Sequence, residues 1–196
     1  MLTKELITKI AASSGLSKTL TEDMLGLMRR HITRAEQDAL IRKIREAVPE
    51  ICIRTTLLVG HPGETEEDFE ALKDWVREMR FDRMGAFAYS DEEGTYANLH
   101  YTDDIPQAVK EQRVAEIMAI QQEISRELEE QKVGTVERVV IDREEGDYYV
   151  GRTQYDSPEV DCEVLIDKQV PLEVGQFYPV LITRAEEFDL YGEVVA

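Results

Sequence analysis

Arg54-Thr-Thr-Leu-Leu-Val-Gly-His-Pro-Gly-Glu-Thr-Glu-Glu-Asp-Phe69 decides the fold of the first part of the chain. Its opening six residues are rich in apolar and β-branched side chains, which suit a strand. Gly60-His-Pro-Gly63 is turn chemistry. Thr65 then opens a helix, with Asp68 at the spacing of a reciprocal cap. Strand, glycine turn and helix start in succession bring backbone close to a small ligand at the carboxyl end of a parallel strand. Working outward, Ile51 to Val59 reads as a strand buried on both faces. Thr65 to Met79 reads as a helix presenting Phe69, Leu72, Trp75 and Val76, and Met84 to Tyr89 as a second buried strand that ends in the polar loop Ser90–Gly94. Strand, helix and strand at this spacing form a βαβ unit whose two strands are parallel neighbours.

Upstream, Thr3 to Ala12 reads as an amphipathic helix and Thr19/Glu22 as a capping box for a second helix to about Arg30. Thr33/Glu36 opens a third helix to about Ala47, which Pro49 stops. Downstream, a long helix starts at Asp104-Ile-Pro106 and reaches about Gln131. The hydrophobic period then changes near residue 133, which predicts a second domain over 133–196 after a first over 1–132. Five short strands are expected there: Thr135 to Asp142, Tyr148 to Thr153, Cys162 to Ile166, Phe177 to Thr183 and Leu190 to Val195, with a hairpin turn at Glu144-Glu-Gly-Asp147. Their number and length suit a small closed or nearly closed barrel used for binding.

The 196 residues carry a net charge of −18. A chain this acidic repels phosphate backbones and attracts basic partners, so a nucleic acid is disfavoured as ligand. No apolar run has the length of a membrane span, and the first residues lack signal-peptide shape. The densest positive stretches, Arg29-Arg30 with Arg34 and Arg42-Lys43 with Arg45, read as solvated helix faces. There are two cysteines, Cys52 and Cys162, far apart and outside any CxxC pattern. That predicts no disulfide framework, a reducing cytoplasm, no metal site, and a small buried hydrophobe at Cys52 within its strand. His31, His61 and His100 have no ligand spacing. Glu64, Glu66, Glu67 and Asp68 read as a charged first helical turn rather than an acid–base pair.

Four stretches in order resemble one family: Met28-Arg-Arg-His-Ile-Thr33, Arg54 to Phe69, Gly85-Ala-Phe-Ala-Tyr-Ser-Asp-Glu-Glu-Gly-Thr95 and Gly151-Arg-Thr-Gln-Tyr-Asp-Ser-Pro-Glu-Val-Asp161. They are similar to the radical S-adenosylmethionine methylthiotransferases. The 89–95 loop and the final Glu187-Phe-Asp-Leu-Tyr-Gly-Glu-Val segment favour the branch that modifies a ribosomal protein, the RimO type, over the branch that modifies transfer RNA. The resemblance runs from about residue 24 to the end. It implies the later half of a radical SAM TIM-type α/β barrel followed by a five-stranded, OB-like TRAM barrel. The family's CxxxCxxC loop has no counterpart here. Residues 14–19 stand where the family has a buried strand, as an excision joining two helices would leave them.

The resemblance implies S-adenosylmethionine and two [4Fe–4S] clusters for the complete family enzyme, which methylthiolates an aspartate of a small-subunit ribosomal protein. Neither group is expected to be held stably by this chain. The residues implied in cofactor contact are Arg54 and Thr56, then Gly60, Pro62, Gly63 and Glu64 at one strand end, and Tyr89 and Ser90 at the other. The bland alternative is that Gly60 to Glu64 only shapes a turn. From Gln131 onward there are fifteen acidic and six basic residues. An acidic TRAM barrel suits a basic ribosomal protein, with Asp142, Glu144, Glu145, Asp147, Asp156, Glu159, Asp161, Glu186, Glu187 and Asp189 as the docking candidates. Two rivals stand beside this reading: an acidic protein-binding module without chemistry, and an RNA-binding barrel using Tyr148, Tyr149 and Tyr155. Two barrel strands without neighbours leave edges and apolar faces open, which predicts a homodimer or rearranged packing.

Overall fold

The computed structural model describes residues 33–158, 160–186 and 189–195. The expected helices at 3–12 and 19–30, the 14–19 link, and Arg29, Arg30, His31, Glu159 and Glu187 lie outside the described residues. The chain divides into two units, Met1–Cys52 and Ile53–Ala196.

In the first unit, α1 (Arg34–Ala47) starts where Thr33 and Glu36 complete the reciprocal cap. It buries Ile44 and ends at Val48, whose amide donates to the Ile44 carbonyl at 2.9 Å.

The second unit begins with β1 (Arg54–Val59), α2 (Glu66–Met79) and β2 (Arg83–Ala88). The two strands pair in parallel, in register from Arg54↔Arg83 to Val59↔Ala88. Thr65 and Asp68 cap α2 as the sequence predicts, and the hydrogen bonds from Thr65 hold the Asp68 carboxyl below its ordinary range. A short helix α3 (Tyr96–His100) follows, then α4 (Gln107–Glu130). Helices α2 and α4 cover one face of the strand pair. Phe69, Val76, Met79, Phe81 and Ile117 are buried there, with the Trp75 ring edge-on to Phe81 at 5.2 Å.

Burial of β1 on both faces is not what the structure shows, and β2, expected as a buried strand, exposes Phe87. Arg54, Thr56 and Leu58 alternate outward along β1, and Leu58 is 53% exposed beside its register partner Phe87 at 63%. Within the Ile53–Ala196 unit, α2 and α4 pack on one side of the two-stranded sheet, and the exposure of Leu58 and Phe87 marks the other. Cys52 precedes β1 and is half-buried, so it is not a strand-core hydrophobe.

The last five strands are β3 (Val136–Glu145), β4 (Tyr148–Thr153), β5 (Glu163–Asp167), β6 (Phe177–Ala185) and β7 (Asp189–Val194). They close into a barrel in the order β3-β4-β5-β7-β6. All pairings are antiparallel except β5 with β7. Alternate residues point inward and fill the interior: Val139, Ile141, Val164, Ile166, Val180, Ile182 and Leu190, each at most 2% exposed. Closure leaves no open edge. The predicted four-residue turn contracts to Gly146-Asp147, because β3 continues through Glu144 and Glu145 after a bulge between Ile141 and Arg143. Gly146 takes φ 54°, a conformation the two-residue hairpin requires.

Candidate functional site

The carboxyl ends of β1 and β2 sit side by side, joined by the Tyr89 amide donating to the Val59 carbonyl at 2.8 Å. From there Gly60 and Gly63 turn the chain with φ of 76° and 84°. The Gly60 amide donates to Glu64 Oε1 at 3.0 Å, and that same oxygen takes Arg113 Nη1 at 2.7 Å. Arg113 also reaches Glu66 at 3.1 Å and lies over the Phe69 ring. Glu64 is therefore a brace between turn and helix. A Cβ on Gly60 would stand 2.5 Å from Lys110 Cγ. The close approach at Gly60 is taken by the stem of this chain's own lysine. Lys110 is 2% exposed, pairs with Asp103 and lies 5.0 Å from the centre of the Tyr89 ring. Gly63 differs: nothing lies within 4 Å of its Cβ position. Pro62 offers its carbonyl to His61 Nδ1 at 3.0 Å. The Tyr89 hydroxyl donates to Asp91 at 3.2 Å and the Ser90 hydroxyl to Glu92 at 3.0 Å.

Six of the eight residues implied in cofactor contact thus gather at one end of the strand pair: Gly60, Pro62, Gly63, Glu64, Tyr89 and Ser90. Thr56 sits midway along β1 on its open face. Arg54 begins β1, roughly 20 Å from Gly60 at strand rise, and its guanidinium is paired to Asp161.

Arg54 belongs instead to a buried seam at the amino ends of the strands. Arg83, 8% exposed, donates through Nε to Asp156 Oδ1 at 3.1 Å and pairs through Nη1 with Glu129 Oε1 at 2.9 Å. Lys132 Nζ holds the other Glu129 oxygen at 2.8 Å, and Asp161 lies 3.8 Å from Arg83 Nε. Burial alone would lower the Arg83 pKa, but the charge and hydrogen bond of Asp156, then Glu129, carry it above its usual value. The seam joins β2, the end of α4 and the 153–162 loop of the barrel. Beside it lies a cleft of about 420 Å³ bordered by Met84, Met118, Gln121 and Cys162. Position at the amino ends of parallel strands reads as stability rather than catalysis.

Cys162 is 9% exposed in this seam. Burial pushes its thiol up to about 12, with the Glu129 carboxylate adding to the effect. An unfolded cysteine titrates near about 8.5, so the stability gained by keeping the thiol neutral is full below that pH and is lost as pH rises toward the folded value. Iodoacetamide at mildly alkaline pH should label Cys162 far more slowly in the folded chain than in urea, as read by mass spectrometry of the tryptic peptides. Equal rates would contradict a neutral buried thiol.

The barrel acids separate by environment. Asp156 and Asp161 face the seam, not solvent, with side-chain exposures of 0% and 4%. Glu144, Glu145, Asp147 and Glu186 are exposed. Asp142 is half-buried against Arg152, and Glu144 pairs with Lys168. Asp189 is half-buried; burial, then Glu163 and Glu186, raise its pKa. Helix α3 is one turn long, too short for a hydrophobic period to reveal it, and the Thr95 hydroxyl accepting from the Asn98 amide is the local signal that marks its start.

Residues 133–195 match the family described as the TRAM domain. Over 178 residues the chain is 58% identical to the ribosomal protein uS12 methylthiotransferase RimO of Phocaeicola vulgatus. Over 177 residues it is 59% identical to that of Bacteroides thetaiotaomicron. Along nine tenths of its length the chain is similar to the RimO-type methylthiotransferase family. Each alignment covers 90% of this chain and 41% of the relative, so the chain spans about two fifths of the length of these curated relatives. The RimO of Porphyromonas gingivalis matches over the same shares at 54% identity. This is a radical SAM family with iron–sulfur clusters. The donor set of this chain does not fit such a cluster: it has two cysteines in all, Cys52 in one unit and Cys162 buried in the seam of the other. Among the described residues no group of three or more His, Cys, Asp or Glu side chains is disposed to hold a metal ion, and no helix is long and apolar enough to cross a membrane.

Proposed function

We propose that this chain is a docking part of an enzyme that methylthiolates an aspartate of ribosomal protein uS12, and that by itself it binds the basic protein without performing the chemistry. The observation that carries the reading is the 58% identity to a uS12 methylthiotransferase over 90% of the chain, beside the TRAM match at residues 133–195. The charge agrees with it. Glu144, Glu145, Asp147 and Glu186 stand on the barrel exterior, in a chain of net charge −18. Opposed charge speeds encounter and excludes wrong partners more than it adds affinity. Inactivity follows from ligation chemistry, since cleaving S-adenosylmethionine by one electron needs a thiolate-held cluster.

The strand-end residues Pro62, Gly63, Tyr89 and Ser90 are proposed as the part of a nucleoside pocket that this chain retains, with the open side of Gly63 as backbone approach. Gly60 and Glu64 shape that turn from behind, with Thr56 on the adjoining open face. Arg54 supports the reading least, given its position in the seam. The 132/133 boundary, a reducing cytoplasmic setting and a homodimer through the face bearing Leu58 and Phe87 belong to the same proposal.

Titration calorimetry of the chain with purified uS12, in low and then high salt, tests the reading. Binding that weakens as salt rises is expected, with no 5′-deoxyadenosine released from S-adenosylmethionine and a reductant. Equal or tighter binding of RNA would favour the RNA-binding rival, and reagent cleavage by the chain alone would end the docking-only interpretation.

A further inference from the structure

Residues 84–109 contain no lysine or arginine and five carboxylates: Asp91, Glu92, Glu93, Asp103 and Asp104. The five carboxylates follow β2, at the carboxyl end of the strand pair and away from the Arg83 seam that adjoins the barrel loop. Threaded among them is a run of rings. His61 meets Tyr89 at 5.2 Å and Tyr101 at 5.8 Å, both edge-on. Tyr101 meets Tyr96 at 6.1 Å, and Tyr96 stacks on His100 at 4.0 Å with planes 13° apart. The outer members face water: Tyr96 is 68% exposed, Leu99 67% and Tyr101 51%. Contiguous apolar surface of this kind rimmed by polar groups marks an interaction site.

The scaffold beneath is built. Gly94, at φ 80°, donates its amide to Asn98 Oδ1 at 3.2 Å. Asn98 Nδ2 donates to Asp91 at 3.1 Å. The Thr95 hydroxyl donates to the Glu92 carbonyl at 2.8 Å, and His100 Nδ1 to the Tyr96 carbonyl at 2.9 Å. Below, buried Lys110 pairs with Asp103. Rings held this way lose little freedom on binding, which favours affinity.

We propose that the Tyr96–Tyr101 rings and the carboxylates of Asp91, Glu92 and Glu93 form a second docking surface, which takes arginine or lysine side chains of a basic protein segment. The inference deepens the docking proposal and rests on its premise of a basic protein partner. Ring faces attract a guanidinium or ammonium, and the surrounding carboxylates supply the opposite charge. The sign of the charge selects a cationic peptide over a nucleic acid, which would meet five carboxylates on its way to the same rings.

The test uses the full chain and an arginine- and lysine-rich synthetic peptide. Fluorescence anisotropy reads affinity, and NMR reads the ring signals of Tyr96, Tyr101 and His100. Tyr96→Ala combined with Tyr101→Ala should weaken binding about tenfold, at the scale of two lost cation–ring contacts. Tyr96→Phe keeps a ring and should bind like the parent. Both variants alter exposed side chains, and circular dichroism checks that the fold is kept. Peptide binding that shifts the ring signals supports the surface. Binding that is lost in Glu144→Gln/Glu145→Gln but unchanged in the tyrosine variant overturns it while leaving barrel docking intact. No binding by the parent chain overturns both, and an oligouridylate that shifts the same rings in place of the peptide overturns the cationic assignment.

Discussion

Arg83→Met is expected to lower the stability of the Ile53–Ala196 unit by roughly 3–5 kcal/mol, the cost of leaving buried charge without its partner. Arg83 meets two carboxylates with no solvent exposure, Asp156 from the barrel loop and Glu129 from the end of α4. Methionine fills the stem volume but returns neither hydrogen bond nor charge. Lys132 remains on Glu129, so the stranded group is chiefly Asp156, which keeps only the Thr153 hydroxyl of its present side-chain partners. Set against a typical total of about 5–15 kcal/mol, the loss is large. Urea unfolding followed by circular dichroism measures it, and hydrogen exchange should loosen first at residues 153–162. Arg83→Met combined with Asp156→Asn and Glu129→Gln should recover much of the loss, because neutral groups are cheaper to bury than unpaired ions. A midpoint unchanged in the single variant would show that the seam contributes nothing net.

Gly151→Ala is expected to cost roughly 1–3 kcal/mol through overpacking, and to reach the upper end because the obstruction is backbone. Gly151 lies in β4 between its partners Ile141 on β3 and Val164 on β5. A Cβ there would stand 2.4 Å from the Val140 carbonyl oxygen and 2.7 Å from Val139 Cγ1. A flexible side chain can step aside; a carbonyl within a closed ladder moves only if the ladder moves. The effect should appear as a lower thermal midpoint with retained β signal. An alanine variant as stable as the parent would mean that the barrel breathes enough there to absorb a methyl group.

Much of the fold is legible in local chemistry. The caps at Thr33/Glu36 and Thr65/Asp68 fix helix starts because each satisfies two amides from neighbouring residues alone. The short apolar runs at 148–153 and 177–183, set between turn residues, point to strands. Burial of β1 is not legible this way: Leu57-Leu58-Val59 reads alike whether one face or two are covered, and coverage is set by elements elsewhere in the chain. The site divides along the same line. Gly60 and Gly63 announce a turn, but only geometry shows that Lys110 occupies the space over Gly60 while Gly63 stays open. Arg54, attractive as an anion ligand by type, is claimed by Asp161, more than a hundred residues away. Asp156 and Asp161 look like their exposed neighbours in sequence, and only the approach of Arg83 separates them.

The parallel register of β1 and β2 places the Arg83 seam and the Tyr96–Tyr101 loop at opposite ends of a strand pair six residues long. That pair works as a ruler. Its length is about 20 Å at strand rise, so a flexible ligand that leans on the barrel beside the seam and also lays a cationic side chain across the rings must reach at least that far. A lone basic residue or a dipeptide satisfies one end at a time; an extended stretch of roughly six residues or more can satisfy both, and gains by doing so in a single encounter.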